Sequence, residues 1–463
     1  MAFYNNNDTI TSLSTPEGIG AIAVIRLSGK DAIAICNKIF KGANLNIRSA
    51  NTLHVGSIMD GEKILDDVVV SLFHEPHSYT GENVAEISCH GSPFIVQEIL
   101  KLLIHNGAQQ AKPGEFTMRA FMNGKLDLIQ AESVADIIAS DSELSHRTAF
   151  QQMRGGFSKE LKFLREKLLE FTALIELELD FSTEDVEFAD RKELIILIQE
   201  IHKRLTVLSK SFSFGNALKK GIPVVIAGKP NAGKSTLLNL LLNEEKAIVS
   251  PIPGTTRDSI EDIVQINGIP YRFIDTAGIR EAVEEIETLG IERTFSKIEK
   301  SSLILYVFDI SISEPEDVTK EIEPILNLTG NRIPVLFIGN KSDKTEKSNS
   351  DFSTVKPLII LSATEKSKRE NNFRLISEKM EKLLSIQKIK SNATILTNIR
   401  HYEALSKVIY ALEKTKEGLN NKLSGDLLST DIRQALHYFG ELTGEVTNEE
   451  VLGAIFSRFC VGK

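Results

Sequence analysis

Apolar and polar positions change their period along this chain, and the changes divide it. Up to about residue 120, short apolar runs mix with amphipathic ones. Gly20 to Leu27, Asp67 to Phe73 and Val84 to Ser88 read as strands, and Asp31 to Phe40 and Phe94 to His105 as helices. From Leu126 to Phe214 the period is helical, with long runs at Leu161 to Leu179 and Glu193 to Leu208. Lys219-Lys220-Gly221 marks a boundary. Strands and helices then alternate to about residue 385, the pattern of a mostly parallel sheet wrapped by helices. Within that stretch Asn267-Gly268 separates two strand-like runs and predicts a tight hairpin, hence an antiparallel strand. Lys344 to Ser353 reads as a polar loop, and from Thr397 onward the chain is helical again.

The predicted fold class is therefore multidomain, α/β plus α. Residues 1–120 form an α/β domain, and 121–218 and 386–463 two parts of one helical domain that pack on each other. Residues 219–385 form a domain inserted between them. Two independent helical domains are the alternative reading.

The strand-like run Ile222 to Ala227 feeds Gly228-Lys229-Pro230-Asn231-Ala232-Gly233-Lys234-Ser235, and a helical run, Thr236 to Asn243, follows. This is the strand–loop–helix setting of a phosphate-binding P-loop. Its glycines let backbone N–H groups close around phosphates, Lys234 supplies a point charge, and the Ser235 hydroxyl reaches Mg²⁺. Three further motifs follow, each at a strand end. Asp275-Thr276-Ala277-Gly278 suits contact to Mg²⁺ and to a γ-phosphate. Asn340-Lys341-Ser342-Asp343 offers a carboxylate to the N1–H and 2-amino group of guanine. Adenine lacks both donors and would leave a buried Asp343 unpaired, so such a site discriminates by roughly 10⁴–10⁵-fold. Ser362-Ala363-Thr364 offers a backbone N–H to the guanine oxygen. Four motifs in this order imply a GTP-binding domain.

Composition narrows the setting. A chain of 463 residues suits about three domains, and 42% hydrophobic with 25% charged residues is ordinary for a globular protein. The net charge of −9 does not suit unaided binding to bare nucleic acid. No run approaches a membrane span, and the start lacks a signal peptide. The three cysteines, Cys36, Cys89 and Cys460, have no metal or disulfide spacing, which fits a reducing, cytoplasmic setting. Cys36 falls on an apolar helix face and reads as core; His90 reads as structural.

The inserted domain also departs from a common pattern. Ile279 follows the Asp275–Gly278 motif where Ras-type GTPases carry a Gln that orients the attacking water. One of Glu281, Glu284, Glu285 and Glu287 can take that task, or the run is a solvated acidic face. Asn231 is a ligand for a monovalent cation between the phosphates, or a turn-forming residue. In Pro253-Gly254-Thr255-Thr256-Arg257-Asp258, one Thr hydroxyl is expected to complete the Mg²⁺ shell.

Gly228–Ser235, Pro253–Asp258, Asp275–Gly278 and Asn340–Asp343 together resemble the TrmE/Era/Der group of GTPases. The ends narrow this further: Gly18–Gly29, Tyr79-Thr80-Gly81-Glu82, Cys89-His90-Gly91, Pro113–Thr117, Asn123–Glu132 and the closing Phe459-Cys460-Val461-Gly462-Lys463. Over essentially its whole length the chain resembles the bacterial and organellar tRNA modification GTPases of the MnmE (TrmE) family.

That resemblance implies a homodimer, formed through an N-terminal domain that binds 5-formyl- or 5,10-methylene-tetrahydrofolate. It also implies an FAD-dependent partner protein, joined in a heterotetramer, and tRNA as substrate. The reaction implied is addition of an aminomethyl or carboxymethylaminomethyl group to carbon 5 of the wobble uridine, with ammonium or glycine as nitrogen source. Carried over by motif, Arg26, Glu86, Lys125 and Lys463 contact folate. Asn231, Ser250, Ile252 and Thr255 hold K⁺, while Ser235 and Thr256 hold Mg²⁺. Ala232, Gly233, Lys234 and Thr236 bind GTP with the motifs already named. Glu287 orients the water, and Cys460 takes part in the modification chemistry or is a buried, inert thiol. A ribosome-assembly or translational GTPase of the Era/Der type is the competing reading, but no basic RNA-binding module is visible. A signalling switch is a third, and folate binding separates the first from both.

Overall fold

The computed structural model describes residues 8–180, 191–242, 248–249, 262–274, 298, 301–330, 332–384, 395–421, 423–447 and 449–462. These divide into two compact units. One comprises residues up to Ala139, Ala149–Leu205 and Glu403–Lys463; the other comprises Ser140–Thr148 and Thr206–Tyr402.

The first unit holds a seven-stranded sheet: β1 (Ile10–Leu13), β2 (Ile22–Ser28), β3 (Phe40–Lys41), β4 (Thr52–Asp60), β5 (Lys63–Phe73), β6 (Val84–His90) and β7 (Gln109–Gln110). Its order is β3-β4-β5-β6-β2-β1-β7, antiparallel except for the β1–β7 pair. Period-2 alternation puts Ile25, Leu27, Val70, Leu72, Ala85 and Ile87 on one buried face. The helices Ala32–Ile39 and Pro93–His105 contribute Cys36, Ile39, Ile99 and Leu103 to the same core, as the sequence reading had it for Cys36.

Sequence patterning missed four of these strands, β1, β3, β4 and β7, and began β5 too late. In β4 the residues facing out are Leu53 and Val55, both exposed, so the strand lacks the polar-out alternation that marks a half-buried one. β5 starts at Lys63, before the expected Asp67, because the two-residue loop Gly61-Glu62 lets β4 and β5 pair along their length.

The helices Gly156–Asp180 and Gly425–Thr443, from either side of residues 219–385 in the chain, lie against one another, with Arg433 bonded to Glu176 at 2.7 Å. The helices Glu115–Met122, Leu128–Ile138 and Glu449–Phe456 meet through Met118, Leu128, Ala131, Phe456 and Phe459.

The second unit holds β8 (Ile222–Ala227), β9 (Ile248–Val249), β10 (Asp262–Ile266), β11 (Ile269–Ile274), β12 (Leu303–Asp309), β13 (Val335–Asn340) and β14 (Leu358–Ile360). Their order is β14-β13-β12-β8-β11-β10-β9, parallel from β14 to β11 and antiparallel beyond. β8 and β13 are buried at every position, as a parallel sheet covered on both faces requires. The β10–β11 hairpin turns at Asn267 and Gly268, both with positive φ, as the Asn-Gly pair predicts. Leu144, from the distant Ser140–Thr148 segment, joins the core beneath that hairpin, and Gln265 donates to the Asp141 carbonyl.

Candidate functional sites

In the second unit, β8 delivers the chain to Gly228 (φ 140), where any side chain would collide with the Val307 carbonyl. Asn231 is left-handed (φ 62) and exposed. Gly233 (φ 98) lies so close to the Asn340 amide that a β-carbon would not fit. The helix Lys234–Leu242 starts immediately after it. Buried Lys234 donates from Nζ to the carbonyls of Gly228 and Lys229, at 2.7 and 2.8 Å, from within the loop it is expected to serve.

Asn340 ties three motifs together. Its Nδ2 donates to the Ala232 carbonyl at 2.9 Å, and its Oδ1 accepts the Ala363 N–H at 3.0 Å. The P-loop, the Asn340–Asp343 turn and the Ser362–Thr364 turn therefore meet around one buried side chain. Asn372 secures the last of these by donating to the Ser362 carbonyl at 3.0 Å. Lys341 is left-handed (φ 64) and opens a short 3₁₀ turn, Ser342–Lys344. Its ammonium lies 2.7 Å from Asp309 Oδ2, a residue outside every sequence motif.

Asp343 is exposed, not buried as the sequence reading supposed. It sits on the outside of the 3₁₀ turn, so a bound base has to cover it. A hydrogen bond from Ser362 holds its carboxyl below the usual carboxylate range, and the group stays an acceptor at neutral pH. Ser250, Ile252, Thr255, Thr256, Asp275, Thr276, Ala277, Gly278 and Glu287 lie outside the described residues, as does Lys463.

In the first unit, Arg26 and Glu86 are directly opposed on β2 and β6. Nε and Nη2 of Arg26 each lie 2.8 Å from Glu86 Oε1. Both side chains are partly open, at 19% and 24% exposure. The guanidinium lies over the rings of Tyr79 and Phe116, at 5.3 and 5.6 Å. Tyr79 bonds Thr117 at 2.9 Å, and burial raises its phenol. The outer face of the sheet continues from Glu86 through Ser71 to exposed Leu53, and in the next row from Ser88 through Val69 to exposed Val55. Lys125 is exposed and donates from Nζ to the Pro76 carbonyl at 2.9 Å.

The C-terminal segment reaches this sheet. Ser14 Oγ, just past β1, donates to the Gly462 carbonyl at 3.2 Å. Gly462 (φ 93) packs so tightly on Leu13 that a β-carbon would strike its carbonyl. The Gly114 N–H faces the Cys460 carbonyl at 3.4 Å. Leu13 is next to Ser12, which pairs with Arg26, so the tail and the Arg26–Glu86 pair share one end of the sheet. Cys460 is exposed, against the buried-thiol alternative. Burial raises the thiols of Cys36 and Cys89 to about 12 and about 11.

The sequence motifs missed the support beneath this face. Buried Arg119 bonds Glu82 at 3.1 Å, Glu115 at 3.1 Å and the Asp8 carbonyl at 2.7 Å. Ser28 donates to Glu82 at 2.6 Å. Glu82 and Glu115, both in quoted motifs, thus serve the fold. His90 bonds Asp66 through Nδ1 and its backbone N–H, at 2.7 and 2.8 Å, which anchors the end of β6. No cluster of three or more metal-ligating side chains occurs among the described residues, and none of their helices is long and apolar enough to cross a membrane.

A parallel sheet with a P-loop at one strand end, and an Asn-Lys-Ser-Asp turn joined to it through Asn340, defines a P-loop GTPase domain. Residues 9–125 match the family model described as GTP-binding protein TrmE N-terminus, and residues 128–460 match that of the MnmE helical domain. Among curated relatives, the tRNA modification GTPase MnmE of Cytophaga hutchinsonii is 50% identical over 460 residues, covering 99% of this chain and 98% of that protein. That of Flavobacterium psychrophilum is 50% identical over 464 residues, covering 99% of each. That of Bacteroides fragilis strain YCH46 is 49% identical over 469 residues, covering 99% of this chain and 100% of that protein. The chain belongs to the MnmE family of tRNA modification GTPases.

Proposed function

We propose that this protein hydrolyses GTP to drive modification of carbon 5 of the wobble uridine in certain tRNAs. The observation that carries the reading is Asn340, whose one amide joins the P-loop to both base-facing turns. Family membership supplies the tRNA half. GTP sits with its phosphates on Ala232 to Thr236 and its base against Asp343 and the Ser362–Thr364 turn. Residues 219–385 act as the GTPase domain, 1–120 as the folate-binding and dimerising domain, and 121–218 with 386–463 as the split helical domain.

The P-loop fits a phosphate chain, because Gly228 and Gly233 leave no room for side chains where backbone must close in. Ser235 and Thr256 are assigned to Mg²⁺, and Asn231, Ser250, Ile252 and Thr255 to K⁺. The left-handed backbone of Asn231 suits either a ligand or a turn residue. Bound Mg²⁺ and K⁺ would supply positive charge to the phosphates. Glu287 orients the water.

Arg26, Glu86, Lys125 and Lys463 are assigned to a tetrahydrofolate. The fit rests on chemistry: a cation for the folate carboxylates, a carboxylate for pterin N–H groups, and flanking aromatic rings. The folate supplies a one-carbon unit. Exposed Leu53 and Val55 on the same sheet face support a homodimer formed over it. An FAD-dependent partner, a cytoplasmic setting and a role for Cys460 complete the reading.

Mass spectrometry of wobble uridines in tRNA from a strain lacking this gene tests it. The C5 substituent should be absent and return with the wild-type gene. Unchanged wobble uridines would overturn the reading. Turnover of GTP should also be faster in KCl than in NaCl, and equal rates would remove K⁺ from the site.

A further inference from the structure

Asp309 ends β12 and pairs in parallel register with Asn340, the first residue of the Asn340–Asp343 turn. Its two carboxylate oxygens do different work. Oδ2 takes the Lys341 ammonium at 2.7 Å. Oδ1 accepts from the Ser311 backbone N–H at 3.1 Å and from its hydroxyl at 2.6 Å. Burial works to raise this carboxyl, but the bonds from Lys341 and Ser311 outweigh it and hold the group below the usual range. The Ile310 N–H donates to the Asn340 carbonyl at 3.1 Å, so the end of β12 is also fastened to the turn through backbone.

Lys341 is thus fixed at both ends. Its backbone holds a left-handed conformation that side chains rarely adopt, and its ammonium is pinned to Asp309. Between the two runs a four-carbon apolar stem, two residues from exposed Asp343 on the same short turn. A purine that meets Asp343 by its edge needs an apolar surface for its flat face, and a held lysine stem is such a surface. A freely rotating lysine would have to be ordered on binding, an entropic cost that a lysine already held avoids.

We propose that Asp309 is a positioning residue for guanine: it holds the stem of Lys341 in place against the face of the base. The inference rests on the guanine reading of Asp343 and deepens it.

The test uses the full chain, with GDP affinity by calorimetry and steady-state GTP hydrolysis. Asp309→Asn keeps the size and removes the charge. It should raise the Kd for GDP and the KM for GTP on the order of tenfold, with kcat within about twofold. Asp309→Glu should recover part of the loss. Ser311→Ala, a milder change that leaves the carboxylate, should move KM in the same direction by a smaller factor. Lys341→Met should match Asp309→Asn, and the double variant should be no worse than either alone. Additive losses, an unchanged KM, or a fall in kcat at constant KM would each overturn the assignment. Wild-type protein that fails to bind GDP would overturn the guanine reading together with it. Normal wild-type binding beside an unaffected Asp309→Asn variant would overturn this inference alone.

Discussion

The two seven-stranded sheets of this protein carry their candidate sites in different ways. In the GTPase sheet the strands from β14 to β11 are parallel and mostly buried on both faces, so chemistry is confined to the loops at the strand ends. The residues that meet there are contiguous in sequence: Gly228–Ser235, Asn340–Asp343, Ser362–Thr364. In the N-terminal sheet the strands are antiparallel and one face is open, so chemistry lies on the face. Arg26 and Glu86 come together only because β2 and β6 pair in one register. A shift of one residue in that pairing would send both side chains to opposite faces of the sheet. Loop sites leave motifs, whereas face sites leave single residues at period two.

The largest expected effect tests the loop site. Asp343→Asn replaces an acceptor for two guanine donors with an amide that opposes one of them. Discrimination for GTP should fall by as much as roughly 10⁴–10⁵-fold, and xanthosine triphosphate should become the preferred nucleotide in competition assays. The Asp343 carboxyl is held below its ordinary range by Ser362, so its charged form persists as pH falls through that range. GTP preference is then flat at and above neutral pH and is lost only in acid, as the carboxyl takes a proton. An unchanged preference for GTP would remove Asp343 from the base site.

Next in size is Glu287→Ala. Loss of a water-orienting group should lower kcat by on the order of 10²–10⁴ while nucleotide affinity holds, because the interaction belongs to the transition state. A change in affinity alone would make this carboxylate a binding or structural group.

The contrast between loops and faces also explains what the sequence disclosed. β8, β13 and the β10–β11 hairpin were legible because unbroken apolar runs and an Asn-Gly turn each have one structural meaning. β4 was not, because Leu53 and Val55 point outward and its alternation favours no buried face. Asp309 was missed for a related reason: an aspartate at the end of an apolar run looks like any strand terminus until β12 is paired with β13. Arg119 was missed because its pair with Glu115 on the same helix looks like an ordinary i,i+4 surface pair, while Glu82 and the Asp8 carbonyl reach it only in the folded chain. Glu82 and Glu115 lie in motifs that carry the family resemblance, and in the structure they hold Arg119 in place.

Smaller effects are expected on the sheet face. Arg26→Ala removes a cation that is already paired and lies over two aromatic rings. Affinity for a tetrahydrofolate derivative should fall about 10–100-fold, the range of a lost hydrogen bond to a charged group. Lys125→Ala should cost only a few-fold, because Lys125 is exposed and its charge is screened. Calorimetry that ranked the two in the reverse order would move the folate carboxylates away from Arg26 and toward Lys125.

The smallest expected effect is on GTP turnover when the C-terminal tail is altered, and it separates the two sites most sharply. Gly462 has a positive φ and lies against the Leu13 carbonyl, so Gly462→Ala adds both backbone strain and a collision. The tail should lift from Ser14 and Gly114, carrying Cys460 with it. Its release should appear as faster digestion of the C terminus by carboxypeptidase. Modification of tRNA should fall, and deleting Phe459 to Lys463 should abolish it. GTP hydrolysis should stay within about twofold in both variants, since every described contact of the tail lies in the unit that does not hold the P-loop. A large loss of hydrolysis in Gly462→Ala would show that the tail supports the GTPase cycle and that the two sites are coupled through it.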